Sequence, residues 1–298
     1  MIRAATRRRS TPPALARTIG LLAAACALGL GAARAQAGTA DPDTIALRSG
    51  DHRLIGLLWR PHGAEARPAV LFAHGSGHAS GMGPSGPDRR HPELMGPLFV
   101  RHGYVFLYLF RRGDGLSRAQ GEASGDLMDR ELQDKGEAAR NAVQMRLLDD
   151  GELNDVLAGL TYLRAQPEVN PGRLAILGHS FGGSLALLAA ERDSTLRATV
   201  DFSPAGYSWK GSPELRERLL GAVDRMTAPA FFIHAANDYS TEPGQALAAE
   251  MEKLGKPHRL KIYPAIGHGA EDGHDFVDLG IATWERDVFG FLDASMRN

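Results

Sequence analysis

Beyond residue 40 the chain alternates short apolar runs with longer stretches whose apolar positions recur every three or four residues. "TIALRSG" and "RLIGLLWRP" flank the turn "SGDH" and predict an antiparallel hairpin. "AVLFAHGSG" reads as a buried strand running into a glycine loop. "GYVFLYLF" reads as the next strand, entered from a helix near Pro92–His102. Residues 127–148 are charged and helix-prone, with apolar positions at Leu132, Ala139, Val143 and Leu147, and are expected to form a solvated surface helix. "ELNDVLAGLTYLRAQP" follows as an amphipathic helix stopped by Pro167. Strands are then predicted at "RLAIL", "ATVDFS", "AFFIHAA" and "RLKIYP", with helices at "SLALLAAE", around Pro213–Arg225, at "GQALAAEMEKLG" and at "IATWERDVFGFLDASM". Continuous apolar strands separated by helices imply a mostly parallel, doubly wound α/β sheet covered on both faces. In such a sheet the chemistry is expected beyond the carboxyl ends of the strands.

The first 35 residues have a different character. Arg3, Arg7, Arg8, Arg9 and Arg17 precede the apolar stretch "TIGLLAAACALGLGAA", and "ARAQ" then fits a small-x-small cleavage rule. Residues 1–35 are expected to be a signal peptide cleaved after Ala35, which would make the protein secreted or periplasmic and leave residues 36–298 as the functional domain. The apolar stretch is shorter than the roughly 20 residues needed to span a bilayer. Cleavage would remove six arginines of the 34 basic residues, leaving 28 against 35 acidic ones. A mildly acidic surface argues against nucleic acid or an anionic membrane as the partner. The only cysteine, Cys26, falls in the leader, so the mature chain would have neither a disulfide nor a thiol nucleophile.

The stretch Gly178-His179-Ser180-Phe181-Gly182 lies between a predicted strand and a predicted helix, and it fits Gly-x-Ser-x-Gly. The bland alternative is a glycine-rich turn with a serine capping the helix. The chemical reading is a nucleophile elbow, in which Ser180 projects its hydroxyl above the sheet. A hydroxyl needs a base, and the base needs an orienting carboxylate. Asp238 follows the strand "AFFIHAA" directly and is the candidate acid; Asp224 and Asp201 are less well placed. The loop "YPAIGHGAEDGHDF" offers two candidate bases, His268 and His274. An oxyanion hole would use the backbone N–H of Phe181 and that of Ser76, in the loop "FAHGSG". Tyr207 and Trp209, in "SPAGYSWKGSPEL", are candidate substrate contacts, with buried packing as the equal alternative. The histidines show no metal-ligand spacing, and neither metal nor cofactor is needed.

With these residues assembled, the chain resembles the α/β-hydrolase superfamily and, within it, the dienelactone-hydrolase-like branch. The resemblance covers nearly the whole chain after the leader. It rests on "HGSG", "RRGDGLS", "GHSFGG", "AANDYS" and the final histidine loop. It implies an α/β-hydrolase fold with a small cap insertion around "SPAGYSWKGSPEL". It also implies an architectural role for Arg112, Gly113, Gly115 and Ser117. One style of the superfamily has Gly-His-Gly-Phe soon after Tyr-Pro, which would select His268, but Ala270 stands in the aromatic position. Another has Gly-His-x-Phe with a tryptophan ten residues on; "DGHDF" and Trp284 fit it and favour His274 over its rival. Dienelactone hydrolases proper carry a cysteine nucleophile. Serine at the elbow points to ordinary carboxylic esters as small-molecule substrates, with a prolyl-oligopeptidase-like peptidase or a catalytically silent binding protein as the alternatives.

Overall fold

The computed structural model describes residues 41–63, 65–77 and 86–297; the expected signal, residues 1–35, lies outside them. The chain opens with β1 (Asp43–Ser49) and β2 (His52–Trp59), paired antiparallel around Gly50, whose φ of 56° the tight turn requires. There follow β3 (Arg67–Ala73), α1 (Gly86–Arg101) and β4 (Val105–Phe110). After β4 the chain forms a short 3₁₀ turn, then α2 (Ser124–Lys135), α3 (Glu137–Arg146), a π turn at Leu147–Gly151, and α4 (Glu152–Arg164). The second half runs β5 (Val169–His179), α5 (Phe181–Arg192), β6 (Ala198–Phe202), α6 (Pro213–Arg225) and β7 (Ala230–Ala235). It closes with α7 (Glu242–Lys253), β8 (His258–Tyr263), α8 (Ala270–His274), α9 (Phe276–Leu279) and α10 (Ile281–Met296).

The eight strands form one sheet in the order β1-β2-β4-β3-β5-β6-β7-β8. Pairing is antiparallel for β1/β2 and β2/β4 and parallel from β4 to β8. Side chains alternate between two cores. In β4, Val105, Leu107 and Leu109 join the cluster containing Leu160 of α4 and Leu185 of α5, while Phe106, Tyr108 and Phe110 join the one containing Phe99 of α1 and Phe289 of α10. Both faces are dry, so the strand reads as an unbroken apolar run rather than an alternating one. The edge strand β8 is exposed along most of its length and carries Arg259 and Lys261, charges that blunt an open edge.

One expectation is corrected. Residues 127–148 do not form one solvated helix: Gly136, at φ 85°, breaks the segment into α2 and α3. The inner side of this pair, including Met128, Val143 and Gln144, is buried. Of the two readings open for Trp209, core packing is the one found: its ring lies in the sheet-covering core at 5 % exposure.

Parallel alignment brings the carboxyl ends of β3 to β8 to one edge, and the central pair β3/β5 sets Ala73 beside Gly178. A Cβ added at Gly182 would overlap the carbonyls of Ala73 and His74. Gly182→Ala is therefore expected to cost about 1–3 kcal/mol by overpacking. Gly50→Ala, which has open space but the wrong φ, should cost only about 1–2 kcal/mol. Urea-unfolding midpoints of the two variants check the order.

Candidate active site

Ser180 terminates β5 and opens α5 with φ 55° and ψ −117°, a conformation costly for any residue with a side chain. The turn is held from both sides. Ser180 N–H donates to Phe202 O on β6 (2.9 Å), and the N–H groups of Gly183 and Ser184 donate back to Ser180 O. A Cβ on Gly178 would collide with the Gly182 backbone, so the elbow closes only with glycine there. Ser180 makes no side-chain capping bond to the helix, which removes the bland reading of the serine as a helix cap. Its hydroxyl instead lies 2.8 Å from His274 Nε2.

His274 ends α8, in the loop after β8. Its Nδ1 is 2.8 Å from Asp238 Oδ1. An ionised carboxylate only accepts, so Nδ1 carries the ring proton and Nε2 is left free to accept from the serine hydroxyl. The ring is also fixed through its backbone: His179 Nε2–H donates to His274 O at 2.9 Å, and Ser203 Oγ lies 3.4 Å from the same oxygen. His268 is exposed on the preceding loop, with its backbone N–H donating to Asp272. The structure brings His274, and not His268, to Ser180.

Asp238 sits in the turn after β7. Besides His274, its Oδ1 accepts Tyr239 N–H (2.7 Å) and its Oδ2 accepts His234 Nδ1–H (2.7 Å). His234 is fully buried within β7, and Gly244 N–H donates to its Nε2, which fixes the tautomer that faces the carboxylate. Burial alone would raise the Asp238 pKa, but the hydrogen bonds from His234 and His274 outweigh it and hold the carboxyl well below its usual range. His234 was not singled out in the sequence. The signal was there as a lone histidine inside an apolar strand, four residues before the acid.

Ser76, Phe181, Tyr207 and Tyr239 line a cavity of about 280 Å³ with Ser180 and His274. A Cβ at Gly75 would lie 3.6 Å from Ser180 Cβ, so the loop after β3 rests against the elbow. Phe181 N–H is the first of α5 and, unlike those of Gly183 and Ser184, has no carbonyl of the helix to donate to. Tyr207, at 67 % exposure, meets Tyr239 edge to face at 5.6 Å across the mouth. Met128, Arg140 and Gln144 from α2 and α3 also line it. Arg140 donates to Gln144 Oε1 and Ser208 Oγ and stacks on Tyr207, while burial lowers its pKa. Among the described residues three non-glycines have positive φ, namely Ser180, Ser203 and Ala205, and the first and last of them line this cavity.

The Dienelactone hydrolase family profile matches residues 81–277, well over half of the chain. The chain belongs to the dienelactone hydrolase family. A quorum-quenching protein, AidA, from Acinetobacter baumannii is 28 % identical over 164 residues, covering 55 % of this chain and 44 % of its own. Carboxymethylenebutenolidase 1 from Cupriavidus pinatubonensis is 33 % identical over 117 residues, 39 % of this chain and 45 % of its own. This family member spans about half the length of the curated relatives it matches. Among solved structures an esterase from Pyrococcus furiosus superposes with a TM-score of 0.61 at 17 % identity, covering 86 % of this chain and 91 % of that one, and shares the fold.

Two other histidines give the site a pH signature. Burial, with the charges of Arg111 at His74 and of His274 at His179, lowers both pKa values well below the ordinary histidine value. Below pH ~6.5 the unfolded chain binds protons that the folded chain refuses, so stability is full above that pH and falls as pH drops through it. The slope should approach about 1.4 kcal/mol per pH unit for each histidine. Urea midpoints at pH 7, 6 and 5 should fall progressively, and His179→Gln should flatten part of the trend.

Proposed function

We propose that this chain is a serine hydrolase that cleaves carboxylic esters through an acyl-enzyme. The observation that carries the reading is the unbroken hydrogen-bond chain from Ser180 Oγ through His274 to Asp238, with each link at 2.8 Å. Ser180 attacks the substrate carbonyl while His274 Nε2 takes the hydroxyl proton. Asp238 keeps the imidazole in the required tautomer and stabilises its cationic form. The N–H groups of Phe181 and Ser76 bind the tetrahedral oxyanion. His274 then returns the proton to the leaving alcohol and activates the water that cleaves the acyl-enzyme.

The intact geometry supports catalysis over a silent binding fold, because a binding protein has no need of a strained serine backbone. A cavity of about 280 Å³ is at the small end for ligand sites, which supports short acyl groups. Tyr207 and Tyr239 at the mouth would flank the leaving alcohol. The arginine-rich, apolar leader makes export part of the same reading.

Hydrolysis of p-nitrophenyl esters tests it. Acetate and butyrate esters should be turned over faster than laurate, and all of them faster than a p-nitroanilide peptide. Ser180→Ala should lose roughly 10⁴-fold or more in kcat while keeping its fold. His274→Gln should lose a comparable factor and His268→Gln very little. A severe loss confined to His268→Gln, or activity retained in Ser180→Ala, would overturn the assignment.

A further inference from the structure

We infer that Arg111 is a positioning residue for the oxyanion hole, acting with Glu152 to aim the Ser76 N–H at the reacting carbonyl. The inference rests on the hydrolase reading above and extends it to a pair of residues outside the triad.

Arg111 is the first residue after β4, and Glu152 is the first of α4; both side chains are fully buried. Removing such a pair from water is costly, and its attraction offsets that cost only when the remaining donors are also satisfied. Here they are spent on one short loop. Arg111 Nε–H donates to Glu152 Oε2 at 2.5 Å, Nη1–H to His74 O at 2.8 Å and Nη2–H to Gly75 O at 2.7 Å. The neutral ring of His74 adds a second donor to Gly75 O, from Nδ1 at 2.8 Å. Two successive carbonyls after β3 are thus pinned toward the guanidinium, and the second is pinned twice.

Peptide geometry turns this into a statement about the site. In a planar trans peptide the C=O and N–H vectors point in opposite directions. Fixing Gly75 O toward Arg111 therefore sends Ser76 N–H the other way, on the side where Ser76 shares a cavity wall with Ser180 and His274. The same guanidinium lies over the ring of Phe181, 5.7 Å from its centroid, and Phe181 supplies the second N–H. One buried cation therefore pins the peptide of the first donor and touches the side chain of the residue that carries the second. A purely stabilising pair would have no reason to grip this loop, since apolar residues of similar volume stabilise a core at least as well.

The test uses the full chain with Arg111→Lys, which keeps the charge and loses the planar fork, and Glu152→Gln, which keeps the shape and loses the anchoring charge. The readouts are kcat and KM for p-nitrophenyl butyrate and the inhibition constant of phenylboronic acid, which forms a tetrahedral serine adduct. In variants whose circular dichroism matches the wild type, kcat should fall about 10–100-fold, somewhat less than the loss of a whole donor. KM should move by no more than about threefold, and boronate affinity should drop in step with kcat, as expected when an interaction is made only in the transition state. Unchanged kcat, or a kcat loss with boronate affinity retained, would overturn the inference alone. Failure of both variants to fold would assign the pair to the core and overturn it as well. A wild-type protein that neither hydrolyses the ester nor binds the boronate would remove the hydrolase reading and the inference together.

Discussion

The backbone of Ser180, held at φ 55° where strand becomes helix, is the constraint that organises this molecule. Such a conformation costs on the order of 1–3 kcal/mol and persists only where the surroundings over-determine it. They do so here. β5 is clamped between β3 and β6, the turn's N–H is bound by Phe202 O, and the missing side chains at Gly178 and Gly182 let strand, helix and neighbouring loop close to backbone contact. The serine oxygen is thereby lifted above the carboxyl edge of the sheet, where the loops after β7 and β8 deliver Asp238 and His274 to it.

Around that elbow the polar groups form layers that fix one another. His274 is oriented from its ring by Asp238 and from its carbonyl by His179. Asp238 is oriented in turn by Tyr239 N–H and His234, and His234 by Gly244 N–H. Each donor in this chain meets an acceptor that cannot reverse the direction, so a single tautomer pattern runs from the core of β7 to the serine hydroxyl. A partly satisfied network would be worse than an apolar core, and it would leave the imidazole free to rotate. In the proposed mechanism, pre-orientation of this kind would let a weakly acidic alcohol act as a nucleophile near neutral pH.

Much of this was legible in the sequence, and the remainder was hidden for physical reasons. Strands buried on both faces leave continuous apolar runs, so the order of elements could be read directly. Ser180 announced itself through glycines that neither a strand nor a helix would otherwise tolerate, and Asp238 through its position at a strand end. The choice between His268 and His274 could not come from composition; the Gly-His-x-Phe resemblance favoured His274, and the course of α8 is what brings that ring to the elbow. The segment holding Arg140 and Gln144 looked solvated because its charges sit at helical spacing. Which side of a crossover helix faces a cavity is a tertiary fact, and the break at Gly136 reorients α3 over the site. Arg111 was not distinguishable in the sequence for the same reason: its partners are a distant carboxylate and two backbone carbonyls, which no sequence pattern displays. Trp209 left substrate contact and core packing equally open, and only the fold shows its ring drawn into the core.

The claim on which all of this depends is that Ser180 is a nucleophile made reactive by His274. Mapping the covalent adduct of a fluorophosphonate probe by peptide mass spectrometry, in the wild type and in His274→Gln, tests it most directly. The account expects one phosphonylated residue, Ser180, in the wild-type chain and a labelling rate reduced at least about a hundredfold in the variant. Labelling at any other side chain, or equal rates in both proteins, would contradict it.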